Sequence, residues 1–144
     1  MSDARASQHV RRAQDQARIA WNWVDSVSKD FGDKDKDRYA TLARKLPSYL
    51  QVSGLGQTMA FLYAKAKSGG AEGGEKDQGD RAAGTLLKQL RDYLRNRFNR
   101  RDDDAMGLVV GLDPSEYRRA TQELMQMADW LKRFAEGRLG TGGD

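Results

Sequence analysis

The chain has 144 residues, of which 38% are hydrophobic and 32% charged, with a formal net charge of +4 and no cysteine. That length suits one domain able to bury roughly two-thirds of the surface its unfolded chain exposes, and the absence of cysteine excludes a disulfide framework and a thiolate metal centre. No apolar run approaches the roughly 20 residues of a membrane span, and Met1-Ser2-Asp3-Ala4-Arg5 lacks the apolar core of a signal peptide, so a soluble, cytoplasmic protein is expected.

Residues 4 to about 29 read as the first helix. Val10, Ala13, Ala17, Ala20, Val24, Val27 and Phe31 recur at intervals of three and four along one face, the periodicity of a helix packed on one side. Trp21 and Trp23 flank this seam and read as packing groups. Phe31-Gly32-Asp33 ends the helix. A second helix begins near Asp35 and turns Tyr39, Leu42, Ala43, Leu46 and Leu50 inward.

Pro47 crowds the turn before it, so this helix is expected to kink or stop nearby. Gly54 can take positive φ, as the residue past a helix end commonly must. Beyond Gly56 the spacing of Met59, Leu62 and Ala66 starts a third helix running to about Lys67. Two helices joined by two or three residues must fold back on each other, so the Gly54 corner is expected to be buried and fixed.

Ser68 to Gly79 contains five glycines among twelve residues and reads as a flexible linker loop, 68–79. Asp80 caps a helix from Arg81 to about Asn99 whose inner face is Ala83, Leu86, Leu87, Leu90, Tyr93, Leu94 and Phe98. Met106 to Leu112 is short and glycine-bounded, and is expected to be an extended piece or a single turn. The last helix starts on Asp113 as cap, Pro114 at the first position and Glu116 three residues after the cap. Tyr117, Ala120, Leu124, Met127, Ala128, Leu131 and Phe134 form its apolar face, and Gly137 is expected to end it. The expectation is an all-α, single-domain bundle of about five helices over residues 1–136, with a disordered tail, 137–144.

Charge is distributed unevenly along this bundle. Residues 34–67 sum to +5 and residues 81–101 to +6, with shorter acidic connections beside them. Arginine outnumbers lysine 16 to 9, and arginine forks match phosphate oxygens in pairs. A basic block is often only a solvated helix face. Two in one small domain favour a polyanionic partner. Helical spacing brings Arg81, Lys88, Arg91 and Arg95 to one side of their helix. Arg44, Lys45, Lys65 and Lys67 are possible extensions of that surface. Such residues would hold a nucleic-acid backbone without reading bases.

Leu46-Pro47 followed by Gly54-Leu55-Gly56-Gln57-Thr58 and Ala60-Phe61 resembles the small helical subunit of the Cmr complex, the type III-B CRISPR effector. Tyr117-Arg118-Arg119-Ala120-Thr121 running to Trp130-Leu131-Lys132-Arg133-Phe134-Ala135 resembles that family's last helix. With the first helix, the resemblance covers somewhat over half of the chain. It implies a non-catalytic subunit in RNA-guided antiviral defence, stacked with copies of itself in a row along the target RNA. The partners implied are the other Cmr effector subunits and the guide RNA–target RNA complex. Individual RNA-contacting residues do not carry over from the family.

Nothing in the sequence points to an enzyme, a cofactor or a small-molecule substrate. His9 has no acid or nucleophile beside it and reads as a surface histidine. Asp102, Asp103 and Asp104 lie on a turn where adjacent carboxylates rarely converge on a metal, and no metal site is expected. Gly54-x-Gly56 follows a helix rather than a strand, so it is a turn and not a phosphate loop. Two other functions fit the same charges. One is a protein-only assembly adaptor. The other is an unrelated small helical nucleic-acid-binding regulator, against which the apolar Met59, Phe61, Leu62 and Tyr63 weigh, since a recognition helix needs polar groups there.

Overall fold

The computed structural model describes residues 2–68, 80–102 and 104–140. Five helices are present: α1 (Ser2–Asp30), α2 (Asp33–Ser68), α3 (Arg81–Arg97), α4 (Ala105–Val110) and α5 (Pro114–Leu139). No strand occurs among the described residues. The expected flexible loop, residues 68–79, lies outside them apart from Ser68, which closes α2.

α2 runs on through Pro47 and breaks at Gly54, where φ is 83° and ψ is 175°. Tyr49 and Phe61 lie twelve residues apart, about 18 Å along a straight helix. Their ring centroids are 5.0 Å apart. The two limbs of α2 therefore fold back on each other, as the glycine break requires. The expectation of a buried corner is corrected at its apex, where Val52 is 82% exposed. Burial resumes at Leu55, and the Gly56 N–H donates to the Tyr117 hydroxyl at 2.8 Å, tying the corner to the start of α5.

α3 packs between the limbs. Arg81 meets Asp35 and the Tyr39 hydroxyl donates to Gln89, so the first limb runs with α3. Lys65 meets Asp80, and a Cβ on Gly84 would touch the Ala66 methyl, so the end of the second limb meets the start of α3. Asp80 is buried and caps α3 by accepting from the Ala83 N–H. The capping box expected at α5 is present, with Asp113 and Glu116 each accepting from the other's backbone N–H. α4 resolves the stretch that was expected as an extended piece or a single turn. Asp104 accepts from the Met106 and Gly107 N–H groups and starts a six-residue helix.

The core gathers Tyr39, Leu46, Leu50, Leu55, Met59 and Leu62 of α2 with Leu86, Leu90 and Leu94 of α3 and Leu124, Met127 and Leu131 of α5. Each fully buried leucine or methionine contributes about 1.5–3 kcal/mol over exposure. α1 lies along α5 in the same direction, with Gln16 beside Gln126 and Asp25 beside Arg138. Its burial starts only at Gln16. Val10, expected inside, is 57% exposed, and Ala13 and Ala17 are half-buried. Gly137 does not end α5. The helix continues to Leu139 and closes on Gly140 at φ 90°; of the expected disordered tail 137–144, the last four residues lie outside the described ones.

Candidate nucleic-acid interface

At about 100° per residue, Arg81, Lys88, Arg91 and Arg95 occupy one stripe of α3, opposite the buried Leu86, Leu90 and Tyr93. They are not equally available. Arg81 pairs with Asp35 at 3.8 Å and lies 4.3 Å from the centre of the Phe31 ring. Arg91 pairs with Asp92, an acid that stands in the stripe itself. Arg95 is half-buried, and Lys88 is exposed with no ion pair among the described residues.

Lys65 is half committed to structure. Its ammonium stands 3.5 Å from the Asp80 carboxylate, and its carbonyl accepts from the Asp80 N–H. Lys67 lies over the Tyr63 ring at 5.7 Å. Arg44 is half-buried and Lys45 exposed on the first limb of α2. Lys65 and Arg81 thus come together at the α2–α3 end, each facing an acid, while Lys88, Arg91 and Arg95 form a separate strip.

A second basic surface has no counterpart in the sequence reading. α1, α3 and α5 enclose a groove of about 830 Å³, within the range of ligand-sized clefts. Arg12, Arg97, Arg119 and Arg133 line it against two carboxylates, Glu123 and Asp129, together with His9, three glutamines and Trp130. Arg97 sits on the buried side of α3, so the groove opens away from the Lys88–Arg91–Arg95 strip.

The floor of the groove is a closed polar network. Arg97 holds Glu123 through two hydrogen bonds of 2.6 and 2.7 Å, and the Tyr93 hydroxyl donates to the same carboxylate at 2.7 Å. The Gln16 amide donates to both Tyr93 and Gln126. Burial works to raise the Glu123 carboxyl, but the hydrogen bonds from Arg97 and Tyr93 and the Arg97 charge outweigh it and hold it below the ordinary glutamate value. Burial also pushes the Tyr93 hydroxyl up to about 12, so it stays a donor. Glu123 is therefore an anion committed to Arg97. The remaining guanidiniums, Arg12, Arg119 and Arg133, set the sign of the rim. Arg119 lies over the Phe98 ring at 5.0 Å, whereas Arg133 makes no ion pair among the described residues.

No cluster of three or more metal-ligating side chains occurs among the described residues. Asp104 is occupied as the cap of α4, and Asp103 lies outside the described residues. His9 stands exposed on the groove rim. No described helix is long and apolar enough to cross a membrane.

A family model described as CRISPR-associated protein (Cas_Cmr5) matches residues 12–138. The CRISPR system Cmr subunit Cmr5 of Thermus thermophilus is 28% identical over 128 residues, covering 87% of this chain and 93% of that protein. The crystal structure of a CRISPR-associated Cmr5 family protein from the same organism matches with a TM-score of 0.65 at 25% identity, over 88% of this chain and 96% of the other.

Proposed function

Since the chain belongs to the Cas_Cmr5 family of CRISPR-associated proteins, we propose that it serves as a non-catalytic small subunit of a cytoplasmic type III-B effector complex. In this role it lines the target-RNA path and steadies the assembly, beside other Cmr subunits and further copies of itself. The RNA contact rests chiefly on one observation: Lys88, Arg91 and Arg95 share a strip on the solvent side of α3. Lys45 adds an exposed charge on α2. Contacts of this type hold phosphates and are blind to base identity. Ion pairing at Lys65, Arg81 and Arg91 makes those three residues weaker contributors than charge counting suggests, which leaves Lys88 the most available cation of the strip.

The test is a reconstituted complex carrying Lys88→Glu, Arg91→Glu and Arg95→Glu together. Target-RNA affinity should fall by a similar factor for unrelated target sequences, with a shallower salt dependence. The purified chain should cleave no RNA with magnesium present; metal-dependent cleavage abolished by replacing Asp102, Asp103 and Asp104 would refute the non-catalytic assignment.

A protein-only adaptor is favoured by a separate observation. Lys65, Arg81 and Arg91 each already face a carboxylate, which leaves less charge for RNA than the sequence count implies. Failure of the triple variant to enter the complex, with RNA affinity of the free chain unchanged, would select that function.

A further inference from the structure

We propose that the groove between α1 and α5 is a second RNA site, and that it takes a short single-stranded segment: phosphates against Arg12, Arg119 and Arg133, and a base against Trp130. This deepens the RNA-contacting function proposed above and rests on it. The charge balance selects an anion. Arg97 is spent on Glu123 through two short hydrogen bonds, so the floor is nearly neutral. Asp129 is left against three rim guanidiniums.

Guanidinium forks accept a phosphate or a carboxylate equally well, so charge alone does not separate RNA from an acidic peptide. The other lining groups do. Gln122 and Gln126 bring exposed amides, which both donate and accept as base edges do. Trp130 lines the groove and stacks on Phe134 with ring centroids 5.6 Å apart and a 26° tilt, which braces its ring. Base-on-aromatic stacking is the usual way a protein holds single-stranded nucleic acid without sequence preference. Rigidity comes from beneath: Gln16 and Glu123 are 2% and 5% exposed and locked into the Tyr93–Arg97 network. A duplex would hide its base faces from Trp130, so a single strand is the better fit.

The test uses the whole chain, a fluorescent oligouridine RNA and a salt titration. Arg12→Glu with Arg133→Glu changes two exposed side chains, neither of which makes an ion pair among the described residues. Each phosphate contact on a single strand adds about 0.7 to the salt slope, so the slope should fall by about 1.4 and affinity at about 0.1 M salt by about 25-fold or more. Trp130→Leu should weaken binding about tenfold with the slope unchanged. The Lys88→Glu, Arg91→Glu, Arg95→Glu variant separates the two surfaces. Loss of binding in that variant alone overturns the groove and leaves the RNA-contacting function standing on α3. If neither charge variant alters RNA binding by the chain or by the assembled complex, both fall. If the Arg12→Glu, Arg133→Glu protein keeps its RNA affinity but no longer joins its partner subunits, the groove is a protein site and the proposal is overturned.

Discussion

Gly54 offers the sharpest test of how the fold is built. Its φ of 83° and ψ of 175° lie in a region essentially restricted to glycine, where other residues cost about 1–3 kcal/mol. A Cβ built there meets nothing within 4 Å, so Gly54→Ala changes backbone energy without a clash. Against the strain, alanine restricts the unfolded chain and returns about 0.4–1 kcal/mol. The net loss should be about 1–2 kcal/mol. For a chain of 144 residues the unfolding entropy is about 0.3 kcal/mol/K, which translates the loss into a fall in Tm of about 3–7 °C. Gly32→Ala is the matched control, since its Cβ also meets open space and its φ lies outside the left-handed region. That variant should melt at or slightly above wild type. Thermal melts by calorimetry decide the matter, and a Gly54→Ala protein melting within a degree of the Gly32→Ala protein would refute the strained corner.

Two further outcomes follow from the polar contacts. Glu123→Gln should cost about 1–2 kcal/mol at neutral pH, a figure reduced because Arg97 is 35% exposed. Because the folded carboxyl titrates below its ordinary value of about 4.3, its contribution is intact above that pH and is lost as pH falls through the depressed value. The gap in Tm between wild type and Glu123→Gln should therefore hold from neutral pH to about 4.3 and close below it; a gap unchanged in stronger acid would contradict the depressed carboxyl. Asp80→Ala should cost about 1–2 kcal/mol as a lost, buried helix cap. Lys65→Met should cost under about 0.5 kcal/mol, because that ammonium is 43% exposed at 3.5 Å from its partner. Denaturant melts showing the reverse order would mean the ion pair, not the cap, holds the start of α3.

Much of the fold was legible because local chemistry and core pattern agree. Gly54, Asp80 and the Asp113–Glu116 box each announce a chain event within four residues of sequence. The spacing of Tyr39, Leu42, Leu46 and Leu50 marks a face that does become core. Spacing does not say whether a position ends up covered: Val10 shares the α1 period and remains exposed. Gly137 misled for a related reason: a glycine inside a helix costs only about 1 kcal/mol, too little to stop a helix whose later residue Arg138 grips Asp25.

The candidate site was half legible. The α3 strip follows from a charge count and a helical wheel. Ion pairs such as Lys65–Asp80 and Arg81–Asp35 join residues 15 and 46 positions apart, so partial neutralisation was invisible. The groove draws on α1, α3 and α5, with Arg12 and Arg133 at opposite ends of the chain. A signal existed in the spacing of Arg119, Gln122, Gln126 and Arg133, a polar stripe on α5. Residues 115–144 sum to zero charge, which concealed it, because a count along the chain does not show that Glu123 is held by Arg97 of α3.

The uneven docking of α1 carries a consequence for how the protein melts. From Gln16 onward the helix is nucleated by its packing against α5, but in the turns before it residues 5–12 are exposed and only border the groove. Those turns extend an existing helix, so each residue adds one hydrogen bond against its own ordering entropy, a balance near unity that shifts smoothly with temperature. Ala6, Arg11, Arg12 and Gln14 favour it, and the Arg18–Asp15 pair at 3.1 Å stitches the junction. Ellipticity at the helical band should then decline on a slope well before the sharp loss of the bundle, with no matching change in near-ultraviolet signal from the tryptophans at 21, 23 and 130. The midpoint of the steep step belongs to the bundle, and the slope before it belongs to the overhang.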